Sequence, residues 1–313
     1  MTDKANLFGA IAFYQSALAH GLKPILGCEI WVSSNVKASG SSRGEGAYPL
    51  VLLAENEIGF KNLMKLSSES YLGNHQLTPS VNKAFLASHS QGLIVLSGGE
   101  NSQINSLILK DDVPAALKAA EEYGEIFGKD HFFLEIQSHK QAYDPKVQKA
   151  LVELSAQTSI PLVATNDVKY LHKEEAAFHE VLLCLGRGEV LSDPKHGSMG
   201  TSEYYLKSGQ EMVAEFAEFP GAVERTLEIA ERCHLSLEFG KTLMPAFPVP
   251  EKGLSENEYL EKVCREGLVK RYGAKASDPE VQNRLTEELA VIQKTGFSGY
   301  FLIVWDFIAK ARQ

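Results

Sequence analysis

Cysteine is scarce in this sequence and none of it is paired by spacing. The 313-residue chain has four, Cys28, Cys184, Cys233 and Cys264, far apart and without a Cys-x-x-Cys. That argues against a disulfide-stapled secreted scaffold and against a thiolate metal knuckle, and favours free thiols, each a small buried hydrophobe, in a reducing compartment. Excess positive charge is missing too. The net charge is −9, so no global basic footprint marks this as the main DNA-gripping surface. No apolar run is long enough to span a bilayer, and the opening MTDKANLFGA lacks the basic-then-apolar build of a signal peptide. A cytoplasmic location and no membrane partner are expected. The nine histidines contain no His-x-His or His-x-x-x-His pair.

What is present is an ordinary globular composition, 44% hydrophobic and 23% charged, with short continuous apolar runs alternating with helical patterns. Lys23 to Ser33, Tyr48 to Ala54, Gly92 to Ser97, His131 to His139 and Pro161 to Ala164 read as buried strands. Helices are expected over Asn6 to His20 with Gly21 as cap, Glu57 to Tyr71, Ser80 to Ser88, Asp112 to Ile126 ending at Gly128, and from an Asp144-Pro145 start. Strands buried on both faces and separated by helices indicate an α/β fold with a mostly parallel sheet, open or closed into a barrel. Ser34 to Gly46 reads as a loop.

The stretch from Ile160 to Gly188 is the organising one: a strand, a polar turn of Thr165, Asn166 and Asp167, then a helix. Loops at the carboxyl ends of strands build the concave face of such folds. Asn166 and Asp167 serve either as site residues or as a turn and helix cap. Glu29, inside an apolar strand, needs a partner, a cation, or solvent on its face of the strand. After Gly188, Ser208-x-x-Glu211 and Ser255-x-x-Glu258 are capping boxes. Pro220 is expected to close the helix after the first. Pro245, Pro248 and Pro250 mark an extended linker. The expected division is residues 1–240, a proline-rich linker over 241–253, and a second region over 254–313.

Several segments carry a resemblance: Thr2-Asp3 with NLFGA, KPILGCEIWV, PLVLLAENEIGFKNLMKL, GLIVLSGG, FFLEIQSH, VATNDVKYLHKEE, YLKSGQEM, TLEIAERC and, most specifically, GFSGYFLIVWDFI. Along its whole length the chain resembles the C-family replicative polymerases, the alpha subunits of bacterial DNA polymerase III. The resemblance implies a polymerase-and-histidinol-phosphatase (PHP) domain, a distorted β/α barrel, followed by the mainly helical start of a polymerase palm. It also implies that the family's first strands, including a His-x-His strand, precede the position of Met1. The Gly- and Arg-rich nucleotide loop and the palm carboxylates would follow Gln313. Two-metal nucleotidyl transfer needs those carboxylates. The implied setting is DNA replication, with the proofreading exonuclease subunit and other holoenzyme subunits as partners, DNA bound by the full-length protein, and Mg2+ as the full-length polymerase's cofactor. No cofactor is expected on this chain.

In metal-binding PHP domains a cluster of His, Asp, Glu and Cys at strand ends holds divalent ions. Matched by motif, this chain keeps Asp3, Glu29, His139 and Asp167 and departs at Lys4, Pro49, Gly99 and Lys169. Proline and glycine offer no side-chain donor, and two lysines add positive charge where cations would sit. The expectation is a degenerate site in which Lys4 or Lys169 pairs with Asp3, Asp167 or Glu29. The competing reading is a metal-dependent phosphoesterase or 3′–5′ exonuclease, which requires the complete ligand set.

Overall fold

The computed structural model describes residues 1–33, 46–73, 78–193, 196–241 and 244–312. Most of the loop expected over Ser34 to Gly46 lies outside them. The chain forms two compact units, Met1–Leu237 and Glu238–Gln313.

The first unit runs β1 (Thr2–Lys4), α1 (Ala10–Ala19), β2 (Gly27–Ser33), β3 (Ala47–Ala54), α2 (Glu57–Leu72), β4 (Ser80–Asn82), α3 (Lys83–Ser88), β5 (Leu93–Leu96), α4 (Gln103–Leu109), α5 (Val113–Phe127), β6 (Phe132–Ile136), α6 (Asp144–Thr158), β7 (Leu162–Ala164), α7 (Ala176–Arg187), α8 (Gly209–Glu215) and α9 (Glu224–Arg232). Local chemistry explains the helix ends. Asn56, Asn82, Ser102 and Asp112 each accept a backbone N–H of the first turn. Gly21, at φ +69°, carries the chain out of α1, a turn that favours glycine.

The strand order is β1-β2-β3-β5-β6-β7, with β4 paired to β2. The pairings are parallel except that β3 runs against both β2 and β5. The fold is a mixed α/β sheet with a mainly parallel ladder, as the apolar runs indicate. The reversal at β3 has no local signature, because strands buried on both faces look alike in either direction.

Strand alternation divides the sheet into two faces. Leu26, Cys28, Ile30, Leu50, Leu52, Val95, Phe132 and Leu134 belong to the large core shared with the helices. The other face carries Val51, Leu53, Ile94, Leu96, Phe133 and Val163 and is closed by Ile229 and Cys233 of α9. Arg232 pairs with Glu55 at 3.1 Å, just past β3, and its guanidinium donates to the Asp130 carbonyl, just before β6. Thus α9 covers the end of the sheet opposite the carboxyl ends of β5, β6 and β7.

The sheet curls strongly. In a flat sheet of this order β1 and β7 would stand about 24 Å apart, five spacings of roughly 4.8 Å. Instead Lys4, at the end of β1, and both Asp167 and Lys169, beyond β7, act electrostatically on the same Glu29. This curvature is that of a distorted barrel with its mouth at those strand ends.

Several local expectations need correction. Ser80 to Ser88 is not one helix: Ser80–Asn82 pairs with Trp31–Ser33 before α3 starts. The Lys23 to Ser33 run pairs only from Gly27. Tyr143, not Asp144, is the N-cap of α6, and Asp144 instead accepts the N–H groups of His139 and Gln141 at 2.8 and 3.0 Å. The helix after the Ser208 box stops at Glu215, well before Pro220.

The second unit contains α10 (Glu256–Tyr272), α11 (Pro279–Thr295) and α12 (Ser298–Ala311) around Tyr259, Leu260, Leu289 and Leu302. The Ser255–Glu258 capping box forms, with Glu258 N donating to Ser255 Oγ and Ser255 N to Glu258 Oε2. In the proline segment, Phe247 stacks on Tyr259 at 6.1 Å and its N–H donates to Glu256 at 2.7 Å. That segment therefore packs within the second unit. Among the described residues no helix is long and apolar enough to cross a membrane.

Candidate functional site

The barrel mouth is built from the residues that end each strand on its inner face. Glu29 stands opposite both Lys4 and Val51 in the ladder, so its side chain shares the inner face. Its carboxylate meets Lys4 Nζ at 3.8 Å, with Lys4 64% exposed and Glu29 17%. Burial raises the Glu29 pKa, Lys4 and Lys169 oppose that, and Asp167 adds to it. Asp167 has φ +42°, a left-handed backbone that aspartate tolerates better than most residues. Lys169 Nζ reaches its carboxylate at 2.6 Å, and the Lys169 N–H is anchored on the Tyr204 carbonyl. Asp167 caps no helix. His172 and Glu175 make the capping box that precedes α7.

His179 joins this group from α7. Burial, then the charge of Lys169, lowers its pKa, and Lys4 acts in the same direction. The rim is thus two lysine–carboxylate pairs beside a histidine held toward its neutral form.

Two of the expected residues are placed elsewhere. Asp3 stands opposite Cys28 in the ladder, so alternation puts it on the other side of the sheet from Lys4 and Glu29. His139 lies three residues past β6 and is almost fully buried. Its ring stacks on Tyr204 with centroids 4.0 Å apart, and its Nε2 faces the Asn166 carbonyl at 3.2 Å. A carbonyl only accepts, so Nε2 carries the proton. Burial lowers the His139 pKa. The nitrogen that faces the carbonyl is therefore a donor and has no lone pair to offer a cation.

Asn166 is a fastener. Its amide donates to the Glu203 and Tyr205 carbonyls at 2.9 and 2.7 Å. Thr201 donates to the His139 carbonyl, and a bridge joins Tyr170 to Tyr205. Together these bonds hold residues 201–207 across the ends of β6 and β7.

Beneath the rim lies a buried carboxylate that the motif comparison passes over. Glu135, 4% exposed, shares the inner face with Val163. Its Oε2 accepts the Gly98 N–H at 3.0 Å, and its Oε1 accepts Gln137 at 2.8 Å and the Thr165 hydroxyl. Gly98 sits at φ +87°, which directs that N–H inward. Burial pushes the Glu135 pKa up to about 7, against its three donors. A Cβ on Gly99 would collide with the Gln137 amide, so Gln137 fills the space a side chain there would take. Pro49 is buried opposite Trp31, outside the part of β3 paired with β5. The signal for Glu135 was available: like Glu29, it is a carboxylate inside an apolar run.

Among the described residues no group of three or more His, Cys, Asp and Glu side chains is arranged to hold a metal ion. Chemically the rim neutralises its own charge, and the floor ties three strand ends through one carboxylate.

Residues 1–139 match a family described as PHP domain, and residues 258–313 match one described as bacterial DNA polymerase III alpha NTPase domain. Over its whole length the chain is 38% identical to a protein of Treponema pallidum named DNA polymerase III subunit alpha, of which it covers 27%. It is 39% identical over 98% of its length to the protein of that name from Borreliella burgdorferi, and 36% identical over 98% to that of Pasteurella multocida. It covers 27% and 26% of those two relatives. The chain thus spans about a quarter of the length of these relatives.

Proposed function

For this relative of the bacterial DNA polymerase III alpha subunits, which carries their PHP domain, we propose a role in DNA replication as a structural and docking module rather than a metal-dependent hydrolase. The observation that carries the reading is the pairing of Lys4 with Glu29 at 3.8 Å and of Lys169 with Asp167 at 2.6 Å. Each rim carboxylate already has its own ammonium. A divalent ion there would have to displace a lysine and then lie beside it, and like charge makes that costly. With Asp3 on the other side of the sheet and His139 Nε2 protonated, the residues do not fit the family's metal cluster.

Nucleotide transfer, with its Mg2+ and paired carboxylates, belongs in this reading to parts of a polymerase outside these residues. So does the main grip on DNA. The cytoplasmic partners are the proofreading exonuclease subunit and other subunits of the replicative assembly. Support for docking comes from α7, where Phe178, Leu182 and Leu185 are 71%, 63% and 72% exposed. With Val181 they form an i, i+3, i+4, i+7 apolar stripe, a pattern suited to a partner's groove.

The test is a pull-down with the exonuclease subunit, beside a phosphatase assay with and without Mn2+. Retention of the exonuclease and no Mn2+-dependent turnover is the expected result. Turnover that vanishes in Asp167→Ala would replace this reading with a phosphoesterase.

A further inference from the structure

Residues 196–198 are fastened to α7 by charged groups. His196 Nε2 lies 2.9 Å from Glu180 Oε1, and its Nδ1 lies 2.6 Å from the Asp193 carbonyl. A carbonyl and an ionised carboxylate only accept, while a neutral imidazole carries one N–H. The doubly protonated ring satisfies both contacts at once. Ser198 adds a side-chain hydrogen bond to the same Glu180 carboxylate. Gly197 is held on both sides: its N–H donates to Glu189 at 3.0 Å, and its carbonyl accepts from the Arg187 guanidinium. A Cβ on Gly197 would collide with that guanidinium and push Arg187 aside. Beside this fastening is a cavity of about 250 Å3, lined by Tyr170, His179, Glu180, Ser198 and Met199 among others.

We propose that His196 is a pH-sensitive clasp, which as imidazolium holds residues 196–202 against α7 and keeps the cavity wall in place, and on losing a proton releases them. The proton passes to solvent, and one ring nitrogen then turns a lone pair toward an oxygen. The Asp193 carbonyl, then the bond to Glu180, raise the His196 pKa, and the Glu180 and Glu189 charges add to this. Among the described residues, Arg187 and Asp193, with His179 and Tyr170 at the cavity, are the other charged or titratable groups around this segment. The clasp is complete below pH 6.5, the ordinary histidine value, and is lost as pH rises through the raised one. It stands apart from the docking reading and is tested without a partner.

The test follows the unaltered full chain by NMR across the titration of histidine, with the His196 signal identified by its loss in His196→Gln. His196 is expected to titrate above 6.5. The Met199 methyl shift, and Gly197 amide exchange relative to its intrinsic rate, should change with the same midpoint. His179, whose pKa is lowered, titrates apart from His196 and does not mimic that midpoint. Glu180→Gln keeps an oxygen acceptor and removes the charge, so it should return His196 toward its ordinary value and speed Gly197 exchange severalfold at low pH. A His196 midpoint at or below the ordinary value would overturn the proposal. So would Met199 and Gly197 signals indifferent to the His196 titration.

Discussion

At the rim of the barrel mouth Glu29 meets Lys4 and Asp167 meets Lys169, all four with some access to solvent. Below them Glu135 forms no ion pair among the described residues and is held by the Gly98 amide, the Gln137 amide and the Thr165 hydroxyl. Both arrangements manage negative charge at strand ends. The rim does it with opposite charges that water reaches and partly screens, so its pairs contribute little to stability. The floor does it with fixed neutral donors in a dry interior, where each hydrogen bond matters and the charge itself is costly. The two levels should therefore answer pH, salt and mutation differently.

The largest effect is expected at Glu135. Its folded pKa, about 7, lies above the ordinary carboxylate value of 4.5. The folded state thus holds this proton more tightly than the unfolded chain. Its contribution to stability is complete below about pH 4.5 and is lost as pH rises through 7. A shift of that size corresponds to roughly 3 kcal/mol. Chemical denaturation of the unaltered chain and of Glu135→Gln across pH 4.5 to 8 should show the unaltered chain losing about that much relative to the variant. Parallel profiles would show that the carboxylate is not buried as described.

Thr165→Val keeps the shape of the floor and removes one donor to Glu135. A loss of about 1–3 kcal/mol at pH 8 is expected, shrinking at pH 5 where the carboxyl is protonated. An equal loss at both pH values would assign the effect to packing. Asn166→Ala cuts the two bonds that fasten residues 201–207, at an expected cost of about 1–2 kcal/mol, and should speed amide exchange at Leu206, whose N–H donates to the Tyr170 carbonyl. Unchanged exchange would mean that the Tyr170–Tyr205 bridge and the Thr201 and Lys169 bonds hold the segment without Asn166. The smallest effect is expected at the rim, where Lys4→Met should cost under about 1 kcal/mol, and less in high salt. A larger, salt-insensitive loss would mean that rim and floor do not differ in kind.

Much of this architecture is legible from residue order. Continuous apolar runs locate β3, β5 and β6, the capping residue Asp112 locates the start of α5, and two lysines stand where a metal cluster would need ligands. What is not legible depends on partners distant in sequence. The three-residue β4 exists because β2 offers it an edge. Asp3 and Glu29 separate because the β1–β2 register fixes their sides of the sheet. His139 reads as a ligand from its motif, yet Asn166 and Tyr204, 27 and 65 positions further on, settle its proton and its packing. His179 gives no sign of facing the mouth, since a single histidine on an amphipathic helix resembles any other.

The most direct measurement equilibrates the purified chain with Zn2+ and Mn2+, removes free metal and counts bound ions by inductively coupled plasma mass spectrometry. The account predicts no stoichiometric metal. Two or more ions per chain, lost together in Glu29→Gln and Asp167→Asn, would contradict it.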